Sequence, residues 1–196
     1  MSMKMMRSPD WTNVSLKKTS VWALAVGLLL GAVLPLMGAG WDPEKDQAEM
    51  SKAKEALARM KEADPGLGPF FDHAYGYVVF AEKGKAGFIV AGAHGTGIVW
   101  EQGQVVGSAS VTEITVGAQA GGMSCSEILF FKDKAAMDQF KEGRMEFSAN
   151  AAAVVVKNGA AAAASYDNGV AVFIMGLKGA MVDASIGGQK FTFHAK

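Results

Sequence analysis

The chain has 196 residues, in which 19 Lys and Arg offset 19 Asp and Glu. That balance excludes the basic surplus of a general nucleic-acid binder, and a 50% hydrophobic content excludes wholesale disorder. A single cysteine, Cys125, excludes an internal disulfide framework and a multi-cysteine zinc site, while 24 glycines point to many short strands and tight turns.

Residues 1–40 have the layout of a secretory signal peptide. Lys4, Arg7, Lys17 and Lys18 precede an uncharged run over 21–40, Pro35 breaks that run, and Gly38-Ala39-Gly40 supplies the small residues of a cleavage site. The expected cut follows Ala39 or Gly40, with an uncleaved anchor as the alternative. No cysteine near residue 40 could carry a lipoprotein thioether. Without residues 1–40 the net charge is −3. The expected location is the periplasm or the exterior, with peripheral membrane association, and the rest is expected to form one domain.

Residues 42–64 are rich in helix formers. Asp42 and Pro43 suit a helix start, and Met50, Ala53, Leu57 and Met60 form one apolar stripe. Pro65-Gly66 ends the pattern, so 41–66 is read as the N-terminal helix and 67–196 as a β-rich region. From residue 74 the period becomes 2. Strands are predicted near Tyr77–Phe80, Gly87–Ala91, Gly97–Glu101, Val105–Ser110, Ile114–Ala118, Glu127–Phe131, Ala152–Val156, Ala163–Tyr166, Ala171–Met175, Ala180–Ser185 and Lys190–His194. Turns fall at Glu82–Lys85, Gln102-Gly103, Asn158-Gly159 and Asn168-Gly169. Asp133–Gly143 is helical, with Ala136, Met137 and Phe140 on one face. The expected class is α+β: a mainly antiparallel sandwich or partly closed barrel flanked by the N-terminal helix and a shorter one.

Catalytic patterns are missing. His73, His94 and His194 have no second ligand nearby, so no metal or cofactor is expected. Gly92–Gly97 lacks the ending of a phosphate-binding loop and reads as a glycine hairpin. Cys125 lies between serines with no basic residue within six positions, which fits a small buried residue better than a nucleophile.

Several segments together resemble the SYLF, or Ysc84-like, family. They are Ala74–Phe80 with Lys85–Val90, Gly92–Gly97 with Ile98-Val99-Trp100, the Gly-x-Gln-x-Gly pattern at Gly117–Gly121, Tyr166–Val170, and Gly187–Phe191. The likeness covers 74–193. Ser126 stands where family members often have Asp. The resemblance implies lipid binding. Eukaryotic relatives bind phosphoinositides and some are linked to actin, but an exported protein meets neither, so only phospholipid or membrane-surface binding carries over. An anionic headgroup needs local cations. Lys83 and Lys85, flanking Gly84 in a turn expected to be exposed, are the candidate clamp; Lys178 is a second cation, and Trp100 an interfacial ring. The expected function is therefore a non-enzymatic module that binds anionic phospholipid or a membrane surface. The alternatives are a small outer-membrane β-barrel, which would need strands of about ten residues, and a periplasmic enzyme using Cys125 or His94.

Overall fold

The computed structural model describes residues 43–87, 90–116, 121–147, 151–177, 185–186 and 188–196. They all belong to one compact unit spanning Gly38–Lys196. The expected signal peptide, Lys178 and most of the Gly-x-Gln-x-Gly pattern lie outside the described residues.

Helix α1 spans Pro43–Ala63, and acidic residues Glu44 and Asp46 in its first turn complement the positive end of the helix dipole. Its apolar stripe packs on the core: Ala53 and Met60 are sealed, with Met50 and Leu57 packed beside them, and Ala56, outside the predicted stripe, is sealed as well. A 3-10 turn at Pro65–Leu67 leads into a short helix, α2, over Gly68–His73, which the sequence reading missed. Helix α3, Lys134–Lys141, is capped by Asp133, whose carboxylate accepts from the Ala136 amide at 3.0 Å. Ala136, Met137 and Phe140 are buried, as the spacing predicts.

Eight strands form one mainly antiparallel sheet in the order β5-β10-β3-β2-β1-β4-β8-β7. They are β1 (Gly76–Gly87), β2 (Val90–Glu101), β3 (Gln104–Val116), β4 (Gly121–Phe131), β5 (Glu146–Phe147), β7 (Val154–Val155), β8 (Val170–Gly176) and β10 (Gln189–Ala195); β6 (Ala151–Ala152) and β9 (Ser185–Ile186) pair separately. Among the described strands, β7 alone joins in parallel, on β8. The sheet is open, its edges being the short strands β5 and β7, and the expected α+β class, a mainly antiparallel sheet flanked by helices, holds.

The central strands are longer than predicted. The Glu82–Lys85 turn and the Gly92–Gly97 hairpin do not form. Both segments lie inside strands that continue to residues 87 and 101. Polar side chains interleaved with glycine look like turn chemistry, but here they alternate between two sheet faces. Strands of 11 to 13 residues meet the length of a membrane-crossing strand. The open edges nevertheless do not supply the closed ladder that such a barrel requires. The predicted strand at Ala163–Tyr166 is a 3-10 turn followed by irregular chain. The Asn168-Gly169 turn forms as expected, with φ of 48° and 82° at the two residues.

Each face of the sheet carries its own apolar layer. Val78, Phe80, Val99, Val111, Leu129, Phe131 and Phe191 join α3 on one side. Val79, Ile98, Trp100, Ile128, Phe130 and Phe173 join α1 and α2 on the other. Gly97 permits the close packing of β2 on β1, because a Cβ there would sit 2.7 Å from the Phe80 ring.

Candidate functional site

Lys83 is not in an exposed turn. A β-bulge re-aims it. Along β1, Val78 and Phe80 face the α3 side, and regular alternation would send Glu82 after them. Between Phe80 and Lys83 the register against β4 shifts, with Phe80 opposite Glu127 and Lys83 opposite Cys125. Two residues of β1 therefore span one residue of β4, Ser126. The extra residue puts Lys83 on the face of Phe80 and leaves Glu82 exposed. Ser126 is sealed, and its hydroxyl donates to the Ala81 carbonyl at 2.6 Å, satisfying an acceptor inside the bulge. An Asp carboxylate could not donate that bond.

Lys83 enters a buried network with one side chain from each of four strands. Its ammonium donates to Glu113 Oε2 of β3 at 2.8 Å and also to Glu127 Oε2 of β4. The Gln189 amide of β10 donates to the same two oxygens, at 3.0 and 3.2 Å. Side-chain exposures are 5% for Lys83, 3% for Glu113 and 0% for Glu127. β10 and β4 are separated by β3, β2 and β1. In a flat sheet those four steps would span about 19 Å, so the sheet curls around the network. Gly95, opposite Lys83, keeps the crossing clear: a Cβ there would lie 3.1 Å from the Glu82 carbonyl and 3.3 Å from Lys83 Cα.

The electrostatics follow from one cation facing two carboxyls. Burial works against the Lys83 ammonium, but Glu127 and Glu113 outweigh it and hold its pKa above the ordinary value. Burial pushes the Glu127 carboxyl up by more than Lys83 and Gln189 pull it down. The network balances its charge when Glu127 keeps a proton, an ionised Lys83–Glu113 pair beside a neutral acid. Glu127 Oε1 and Gln189 Oε1 are buried with no partner among the described residues. A sealed network of this kind pins four strands together; a general acid or base would have to reach a substrate.

Among the described residues, Trp100 does not join Lys83 at a surface. Trp100 was expected at an interface and is instead buried at 7% exposure on the α1 face, stacked on Tyr77 at 5.1 Å. Lys85 lies in β1 opposite Ala93 and Met123. Cys125 is only partly buried, and the bulge brings Lys83 across the strand from it, a neighbour that sequence distance concealed. Among the described residues no group of three or more His, Cys, Asp or Glu could hold a metal ion, and no helix is long and apolar enough to cross a membrane.

Opposite the buried network, the same stretch of sheet is open to solvent. Gly92, His94 and Thr96 of β2, Thr112 and Ile114 of β3, and Lys190 and Thr192 of β10 are exposed. Ile114 is 60% exposed, alone among the large hydrophobics of the described residues. Lys190 pairs with Thr112, two positions from Ile114 on the same face. Sequence reasoning missed this surface because it depends on strand pairing and on where α1 stops covering the sheet.

No family model matches the chain. It is 30% identical over 142 residues to a protein of Aeromonas veronii named Beta cell expansion factor A. The match covers 71% of this chain and 53% of that protein, so the chain spans about half the length of the curated relative it matches.

Proposed function

We propose that this chain is a non-enzymatic, SYLF-type module of the periplasm or exterior that binds anionic phospholipid at a membrane surface. The observation that supports this reading is the uncovered sheet face carrying Ile114 beside Lys190. An exposed apolar side chain next to a cation suits shallow contact with acyl chains below an anionic headgroup layer. The sequence resemblance over 74–193 points the same way. The surface differs from the clamp expected at Lys83 and Lys85, since Lys83 is committed to Glu113 and Glu127.

Co-sedimentation of residues 41–196 with anionic and neutral phospholipid vesicles tests it. Binding should favour anionic vesicles and fade with salt, because exposed charges are screened. Ile114→Asp and Lys190→Glu should each weaken it several-fold, as a lost apolar contact or a charge near the surface contributes about 1 kcal/mol. Binding indifferent to both substitutions, or absent with every lipid, overturns the reading.

A further inference from the structure

The uncovered sheet face carries a histidine placed symmetrically with Lys190. His94 of β2 and Lys190 of β10 both pair with Thr112 of β3, one from each side. Ile114, two residues along β3, is therefore a diagonal neighbour of both, at about 7–8 Å. His94 and Lys190 are two strand steps apart, about 10 Å. All three side chains are exposed. Gly84 lies opposite His94 on β1, and Gly92 lies opposite Ile114 on β2. A Cβ at either glycine would meet nothing within 4 Å. No side chain at those two positions leans over the imidazole or over Ile114, so both stand clear of the sheet.

Histidine is the side chain that ordinarily gains charge between about pH 8 and pH 5. On β1, Glu82 is the diagonal neighbour of His94, but its carboxylate accepts from the Ser124 hydroxyl of β4 at 3.4 Å, across β1 from His94. On α1, Lys52 donates to Glu49, and its charge also faces Glu82. Strand β3 offers Thr112 and Ile114, with Glu113 turned into the buried network on the opposite face. Strand β10 offers Lys190, and Glu146 of β5 pairs with Lys190 from the side away from His94. Among the described residues, no acid on β3 or β10 opposes His94 on this face. A charge gained there adds to that of Lys190.

We infer that His94 makes the membrane surface pH-dependent: its protonated ring becomes a second cation beside Lys190 and strengthens attachment to anionic phospholipid under mildly acidic conditions. The inference rests on the membrane reading of the same face. Phosphate oxygens of the leaflet accept from both cations, while Ile114 between them meets the acyl chains. One added cation at such a surface brings about a fivefold gain in binding.

The test is co-sedimentation of residues 41–196, which hold every described element of the compact unit. Vesicles of phosphatidylglycerol with phosphatidylcholine, and of phosphatidylcholine alone, are compared at about pH 7.5 and about pH 5.5, across the histidine range and above that of exposed carboxylates. Phosphatidylglycerol keeps its single negative charge in both arms, so a change belongs to the protein. Binding to the anionic vesicles should rise about fivefold in the acidic arm, with no rise on neutral vesicles. His94→Gln should erase the gain, and His94→Arg should bind in both arms as the wild type does in the acidic one. His73→Gln and His194→Gln should keep the gain. Anionic binding without an acidic gain, or a gain that survives His94→Gln or tracks a loss of native circular dichroism, overturns this inference and leaves the membrane reading standing. No anionic binding in either arm overturns both.

Discussion

At the scale of single residues the Lys83 network makes an unequal set of demands. Removing the ammonium strands the Glu113 carboxylate in the interior, whereas burial already pushes the Glu127 carboxyl toward its neutral form, which an amide of the same shape replaces with less loss. Lys83→Met should cost about 3–5 kcal/mol at neutral pH, and Glu127→Gln less than about 1 kcal/mol, by urea unfolding. The folded-state pKa of Glu127 is raised, so its contribution is present at low pH and lost as pH rises through that pKa. The wild type should accordingly lose ground to Glu127→Gln on going alkaline. Equal penalties for the two substitutions would mean that burial does not favour the neutral form of Glu127. None of this could be read from the sequence. Lys83 lies 30 positions from Glu113 and 44 from Glu127, and charged residues clustered around Gly84 have the composition of a turn. The one available signal was that Glu113 and Glu127 each sit where the period-2 pattern asks for an apolar side chain.

Secondary-structure elements were legible where they made their own case locally. Helix α3 announces itself through a capping Asp and a three-residue apolar face, and the Asn168-Gly169 turn through residues that accept positive φ. The long strands were cut short because a bulge and several glycines broke the alternation that marks a strand. Those interruptions arise from tertiary demands: room for the Phe80 ring at Gly97 and a crossing path for Lys83 at Gly95. The apolar stripe of α1, taken alone, suits either a core or a membrane surface. The structure packs it on β1 and β2, with Met60 fully buried. Met60→Ala should therefore destabilise the fold by about 2–5 kcal/mol in thermal or urea unfolding, and the exposed Lys54→Ala by little. Unchanged stability with lost vesicle binding would instead make α1 the membrane-facing element.

For the whole molecule, the helical cover over one sheet face depends on a connection that no local pattern reveals. Asp64 ends α1, yet its carboxylate holds amides of Gly159 and Ala161, almost a hundred positions on. It thereby ties the α1–α2 segment to the loop entering β8. Burial alone would raise this carboxyl, but the amides of Ala161, Gly66 and Gly159 prevail and set it below the usual range. A carboxyl lowered on folding stabilises the native state above its unfolded pKa of about 3.9, and that contribution disappears as pH falls through the folded value. The opposite slope of Glu127 means that acid loosens the Asp64 tie while relieving the Lys83 network. The first parts to separate on acidification should therefore be the α1–α2 segment and the 159–161 loop, with the curled sheet persisting. Asp64→Asn isolates the effect. Its stability deficit against wild type should be full at neutral pH and shrink as pH falls below the unfolded pKa of about 3.9, where the unfolded carboxyl takes up its proton before the folded one. A deficit that stays constant across that range would mean the carboxylate charge contributes nothing and only the shape of the side chain matters.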